Sequence, residues 1–454
     1  MSKRNLFDVI IHSRLYCRTY DFIHACGKWT NKLSFFLIST KKKQVIISLI
    51  CALFLSIACY IVENRPISLS DNSLLFYCLE MPVRQWTQKS DLDVHFVNVG
   101  QDRQLVYLDP SDSSMGNTDI TDRHKLLQFL QKLETDNVHY SGIMMDIRFD
   151  KAHVTEWDSL LFNQIVNMRN IVIAHHEGDA WSNYDIASEK LLSKAGISDY
   201  KQIAYLTSFS RYTYLHEKGP SLPLTLYDDI MHQGKTSIKK CPGLPLYVSG
   251  KHLCVNCPSL PITGDIYDIL SASYEESDID GSVQLFNFYE NLGADWLSME
   301  GRCWNADLDN AYIVIGDFYN DVHATYVGSR AGAYISWLAY VYLFEGRHIL
   351  SWAFIILIFV FYALMIYWMF FHNNLSKRPL YSNNKYALSL LSIFRWIGTI
   401  GLLYLTTFVF YKIFTVRYNV GIPMMFIALI NIIIQKANKY EKTSIPSCTD
   451  PLCQ

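Results

Sequence analysis

Apolar positions along this chain fall on two length scales. Val45–Val62 is uncharged over 18 residues and Ile349–Phe371 over 23. Two further apolar stretches follow, Ala387–Tyr411, interrupted by Arg395, and the shorter Val420–Gln435. About 18 to 20 such residues cross the hydrocarbon core of a bilayer as a helix. The pattern therefore predicts four transmembrane α-helices, one N-terminal (44–62) and three C-terminal (349–371, 387–411 and 420–435). They leave a basic segment at 1–43, a large water-facing domain at 63–348 and a tail at 436–454.

Inside the large domain the apolar runs are short. Val94–Val99, Gly142–Met145, Asn170–Ile173 and Ala311–Ile315 each end in polar residues. Runs of this length that are apolar on both faces suit buried strands. Between the first two, Leu126, Leu127, Leu130 and Leu133 recur at helical spacing behind Thr121 and Asp122, either of which can cap the start. Thr155–Met168 repeats the pattern with Leu160, Leu161, Ile165 and Met168. Strand, helix, strand, helix, strand predicts an α/β domain with a mainly parallel sheet. Residues 179–309 are less regular; Asp278–Phe288 reads there as a turn entering a strand. Gly332–Glu345 reads as a helix on the sheet that feeds through Arg347 and His348 almost directly into the second span.

Charge sets the expected orientation. Lys41, Lys42 and Lys43 precede the first span, Lys377, Arg378 and Lys385 separate the second from the third, and Lys436, Lys439 and Lys442 follow the fourth. All lie on the cytoplasmic side if both termini are cytoplasmic; only Lys412 and Arg417 oppose this, in a short loop. The basic region before the first span is longer than a signal peptide's, which favours an anchor. Asn64–Arg347 carries 37 Asp and Glu against 22 Lys and Arg, an acidic balance that argues against nucleic acid and anionic lipid as partners of this domain.

Cys241, Cys254, Cys257 and Cys303 fall on the outer side, where disulfides persist, and two bridges among them are expected. The Cys-x-x-Cys pair also has zinc-ligand spacing, but no matching second pair follows, so no metal is expected. Free thiols are the third alternative.

In a parallel α/β sheet, polar residues just beyond the strand ends line one crevice. Here these are Asp102 and Arg103, Asp146 and Arg148, His175 with His176 and Glu177, and Asp317, Asp321 and His323. Adjacent residues of an extended chain point opposite ways, so His175 and His176 do not ligate one ion together. Acids, imidazoles and guanidinium groups can together hold a small polar ligand; the competing reading is that they satisfy loop amides and helix ends. The chain has no Gly-x-Ser-x-Gly, no Gly-x-x-x-x-Gly-Lys, no His-Glu-x-x-His and no Gly-x-Gly-x-x-Gly, so neither an enzyme nor a resident cofactor is indicated.

Arg123-His-Lys-Leu-Leu followed by Gly142-Ile-Met-Met-Asp146-Ile-Arg-Phe149 resembles the first half of the type-two CHASE extracellular sensory domain. That family has an Arg opening the first helix and an Asp-x-x-Phe closing the second strand. Tyr312–Asp317, Asp321-Val-His-Ala-Thr-Tyr, Gly332 and Phe344-Glu-Gly346-Arg resemble its second half, and the order of one span, domain and three spans is similar. The first strand differs, ending Asn98-Val-Gly100 where an acidic residue is common in the family.

The resemblance implies a sensory input protein of a bacterial inner membrane, its domain periplasmic, with Arg123 added to the ligand-site candidates. Relatives usually continue into a histidine kinase, nucleotide cyclase or protein kinase, whereas fewer than about twenty residues follow Gln435 here. The expected partners are therefore the membrane, an unknown small ligand, a protein that supplies the output, and a second copy in a homodimer. The alternative expectation is a structural or assembly subunit of an envelope complex.

Overall fold

A computed structural model describes residues 40–63, 92–100, 102–107, 116–149, 154–176, 189–199, 211–234, 238–258, 283–287, 308–325, 328–376 and 421–444, together with a few shorter stretches such as 401–406. The chain divides into two compact units, 64–350 and the remainder.

In the larger unit the strands are β1 (Val94–Asn98), β2 (Arg103–Tyr107), β3 (Asn117–Thr121), β4 (Gly142–Asp146), β5 (Ile171–His175) and β6 (Ala195–Ile197). They continue with β7 (Ile238–Lys240), β8 (Leu246–Ser249), β9 (His252–Val255), β10 (Val283–Asn287), β11 (Tyr312–Gly316), β12 (Val322–Thr325) and β13 (Gly328–Ala331). The main sheet runs β10-β1-β11-β4-β5-β6, and every pairing in it is parallel. The four apolar runs became β1, β4, β5 and β11, and the strand expected within 278–288 is β10 at the sheet's edge.

The first helix of the chain, α1 (Lys41–Glu63), belongs to the other unit. Helices α2 (Arg123–Thr135) and α3 (Asp158–Asn167) cover one face of the sheet. Asp122 caps α2, its carboxylate accepting from the amides of His124 and Lys125. Its buried stripe is Leu126, Leu127, Phe129, Leu130 and Leu133. On α3 the inward residues are Leu161, Phe162 and Ile165, whereas Leu160 faces outward and is exposed. The helical turn of about 100° per residue separates Leu160 from Leu161.

After the short α4 (Glu189–Ser193), helices α5 (Leu222–His232) and α6 (Gly332–Phe344) cover the opposite face. Gly196 of β6 admits the start of α5; a Cβ there would stand 2.5 Å from the Leu222 Cα. Helix α6 is buried on two sides. Tyr334, Trp337 and Tyr340 pack on the sheet, while Ile335, Ala339, Tyr342 and Leu343 pack with Tyr214, Tyr247 and Cys254. An apolar sequence all round the helix is the result.

Strands β7, β8 and β9 form a small antiparallel sheet. The chain leaving α6 turns at Gly346 (φ 69°) and then runs along β9. Val255 N–H donates to the His348 carbonyl and Leu350 N–H to the Leu253 carbonyl, each at 2.8 Å, with Cys254 opposite Ile349. Helix α6 thus ends before the next apolar helix begins, and the segment joining them is tied to β9.

The expected bridges among Cys241, Cys254 and Cys257 are not formed. The reason is local: Cys254 points from β9 into the aromatic cluster beneath α6, its Sγ 3.7 Å from the His252 carbonyl, while Cys257 lies 3.4 Å from the Thr213 hydroxyl. Cys303 lies outside the described residues.

The smaller unit holds α1, α7 (Trp352–Ser376) and α8 (Gly421–Ser444). Two stretches, Lys41–Ile61 and Trp352–Phe370, are long and apolar enough to cross a membrane; Ile422–Ala437 is a shorter apolar helix. Ala52, Leu55 and Cys59 pack with Ile358, Tyr362 and Ile366, and the Tyr362 hydroxyl meets the Cys59 sulfur at 3.6 Å. The outward sides remain apolar, with Ile50 61%, Leu364 63% and Met425 70% exposed, unlike the surface of a water-soluble bundle. Most of 387–411 lies outside the described residues, although 401–406 are helical.

Candidate ligand cleft

The carboxyl ends of β4, β5, β6 and β11 open into a cleft of about 730 Å³. The β2–β3 ribbon walls it with Arg103, Asp119, Ile120 and Thr121, and α2 contributes Arg123. Asp146, Arg148, His176, Ser198, Asp199, Asp317, Asp321 and His323 complete the polar lining.

Strand parity explains which side chains arrive. On β4, Ile143 and Met145 enter the core under α2 and α3, while Met144 faces α5 and α6. Asp146 and Arg148 continue the parity of Met144. On β5, Val172 and Ala174 face the same way, and His176 follows them into the cleft. His175 has the other parity; its Nδ1 lies 3.2 Å from the His176 carbonyl, and it is not part of the lining.

Asp146 is the most perturbed group in the cleft. Its Oδ1 accepts from Ser198 Oγ at 2.6 Å and its Oδ2 from Ser336 Oγ of α6 at 3.1 Å. Burial pushes its pKa up to about 6, with the nearby Asp321 charge adding to the shift and the two serine bonds and His176 opposing it. The other acids are matched to basic side chains. His176 Nδ1 meets Asp199 Oδ1 at 2.6 Å, His323 Nε2 meets Asp321 Oδ1 at 3.1 Å, and Arg103 is paired with Asp317. Asp317 Oδ1 also receives the amides of Tyr319 and Asn320, so this side chain organises the loop after β11.

Gly332 has a specific steric role. A Cβ there would collide with the Asp321 carboxylate and stand 3.2 Å from His323 Nε2. Glycine at the start of α6 allows both side chains to lie against the helix end. Gly100 does the same for Asp317, whose Oδ1 would be 2.5 Å from a Cβ.

Of the residues expected at the site, Arg103, Arg123, Asp146, Arg148, His176, Asp317, Asp321 and His323 share the cleft, and Asp102 and His175 do not. Asp102 is buried and accepts from Lys125 Nζ at 2.7 Å, pinning α2 to the turn before β2. Arg123 is also buried. Its guanidinium lies over the Phe149 ring and donates to the Arg148 carbonyl at 3.2 Å. Glu177 lies outside the described residues. Sequence reasoning passed over Asp199, Ser198 and Ser336. Ser198 follows a strand of only three residues and Ser336 sits inside an apolar helix, so neither carries a motif.

No family model, characterised protein or solved structure matches this chain. Among the described residues no group of three or more His, Cys, Asp or Glu is arranged to hold a metal ion. What the cleft offers is a walled, polar, partly desolvated volume with one carboxylate whose contacts are neutral hydroxyls.

Proposed function

We propose that the chain is a membrane-anchored receptor whose α/β domain binds a small polar ligand in this cleft and relays the bound state to a protein partner. The carrying observation is the convergence on Asp146 of groups from separate elements: Ser198 beyond β6, Ser336 on α6, and Asp321 beside β12. A ligand end that donates hydrogen bonds or carries positive charge is the natural complement to Asp146. Helix α6 contributes Ser336, so ligand at Asp146 bears on the helix that leads toward α7.

The type-two CHASE resemblance supports the same reading. Its two separated motif elements, the Arg opening a helix and the Phe closing Asp-x-x-Phe, are here Arg123 and Phe149, which touch. On this reading 63–348 is periplasmic, the four apolar segments lie in a bacterial inner membrane, and both termini are cytoplasmic.

Thermal unfolding of the full chain in lipid nanodiscs, against a panel of small metabolites, tests the proposal. Ligand at a hundred times its dissociation constant adds about 2.7 kcal/mol to the native state. A rise in midpoint that Asp146→Ala removes is expected. Panel-wide silence, with a stoichiometric protein partner co-purifying instead, sinks the receptor reading in favour of an envelope-complex subunit. That alternative is favoured by the β2–β3 ribbon, where Leu105 is 74% and Tyr107 56% exposed, an apolar surface suited to docking.

A further inference from the structure

Between α6 and α7 the chain is tied to β9 by two backbone hydrogen bonds, and His348 is the side chain at the centre of that tie. It is 2% exposed. Its ring lies parallel to Tyr247 of β8 (centroids 6.5 Å apart, 6° between planes) and meets Tyr227 of α5 edge-on at 5.3 Å. Its Nδ1 is buried without a hydrogen-bond partner.

We propose that residues 347–350 form an acid-sensitive latch: neutral His348 holds this segment on β9, and protonation of His348 releases it. The latch requires neither the ligand cleft nor the receptor reading, because it depends only on what surrounds one imidazole.

An imidazolium needs acceptors for both ring N–H groups and a nearby negative charge; here Nδ1 has no partner and the Leu343 carbonyl is the one acceptor that favours the charged ring. The groups facing His348 are Tyr227 and His232 of α5, Tyr247 of β8, and His252 and Cys254 of β9, with the Leu343 carbonyl at the end of α6. Asp228 is directed to His232, 3.5 Å away, and Glu345 is paired with Arg347 at 2.5 Å, so both nearby acids are engaged. His232 and His252 are basic neighbours that oppose a positive charge on His348. A cation over tyrosine faces is worth about 0.5–2 kcal/mol, but the Tyr247 ring is beyond the usual 6 Å reach. Burial, with the neighbouring histidines, lowers the His348 pKa to about 4, opposed only by the Leu343 carbonyl.

Hydrogen exchange of the full chain in nanodiscs tests the latch at the Val255 and Leu350 amides. After correction for intrinsic rates, protection at these two amides should fall at least tenfold between pH 7 and pH 4.5. In His348→Phe, which keeps an aromatic ring but cannot take a proton, it should stay level. Equal protection at both pH values in the native chain overturns the proposal, as does an equal loss in His348→Phe.

Should that variant fail to fold, Cys254 decides the matter in the native chain. Its buried thiol sits opposite Ile349. Its modification by a dithiodipyridine, measured relative to Cys241 by mass spectrometry, must accelerate at pH 4.5. An unchanged ratio overturns the latch.

Discussion

The guanidinium carbon of Arg123 stands 4.2 Å from the centroid of the Phe149 ring, joining the first turn of α2 to the segment that follows β4. Both residues are buried, and Asp158 of α3 lies 3.8 Å from the Arg123 Nε. Two helices and a strand end therefore converge on one cation. Arg123→Met and Phe149→Leu should each destabilise the chain, and together by less than their sum. The coupling expected is of order 1 kcal/mol, read from denaturant unfolding in detergent. Strict additivity would show that the stacking contributes nothing.

Gly196 has no room for a methyl group, since its neighbours are the Leu222 backbone at 2.5 and 2.7 Å and the Thr225 hydroxyl at 2.8 Å. Backbone cannot swing aside as a flexible side chain does. Gly196→Ala should lower stability by about 1–3 kcal/mol, with the loss centred on β6 and α5 in hydrogen exchange. Gly219→Ala is the control: its nearest neighbour would be the end of Ile197 at 3.8 Å, ordinary contact.

Asp146 makes a prediction about pH. Its folded pKa, about 6, lies above the ordinary 3.8, so the folded state holds the extra proton between those values. The stabilising contribution is complete below pH 3.8 and is lost as pH rises through 6. Asp146→Asn should remove that slope and raise stability at pH 7 by about 1–2 kcal/mol, allowing for one weakened serine hydrogen bond. Unfolding midpoints of both chains from pH 4 to 8 provide the check; parallel curves would mean that the carboxylate is already neutralised by a contact outside the cleft.

The outward residues of α1 test the membrane assignment. Ile50 and Leu53 are 61% and 54% exposed and lie near the middle of Lys41–Ile61. Replacing both with arginine places two charges at mid-bilayer depth, a penalty of about 5–7 kcal/mol on the insertion scale. Expressed as residues 1–65 fused to a soluble reporter, without the C-terminal apolar helices, the doubly substituted segment should partition largely into the alkaline-carbonate supernatant, whereas Ile50→Ala with Leu53→Ala should remain in the pellet. Retention of the arginine chain in the pellet counts against α1 as a span.

The parallel sheet was readable because its strands are buried on both faces and therefore continuous in apolar character. The β2–β3 ribbon was missed because Arg103–Tyr107 alternates between exposed and half-buried positions and has no wholly buried face to reveal it. Helix α5 was missed inside the irregular region even though Ser221 and Pro223 signal a helix start. At the site, the strand-end rule gathered most of the cleft, and its error at His175 was one of parity. Counting alternate positions from Asp146 back to Met144, and from His176 back to Val172, places both on the α6 side. Asp102 was misplaced for another reason: its charge is spent on Lys125 beneath the cleft wall.

The position of β11 carries a consequence for biosynthesis. It lies between β1 and β4, yet more than 160 residues separate Gly142 from Tyr312 in the sequence. A chain emerging from the ribosome makes both neighbours of this strand long before the strand itself. Until Tyr312–Gly316 arrives, β1 and β4 each present an unpaired inner edge, and α6 has not yet been made to cover them. Nascent chains stopped short of Tyr312 lack the middle of the sheet rather than its rim, so they should remain chaperone-bound and protease-sensitive however much of the domain has been translated.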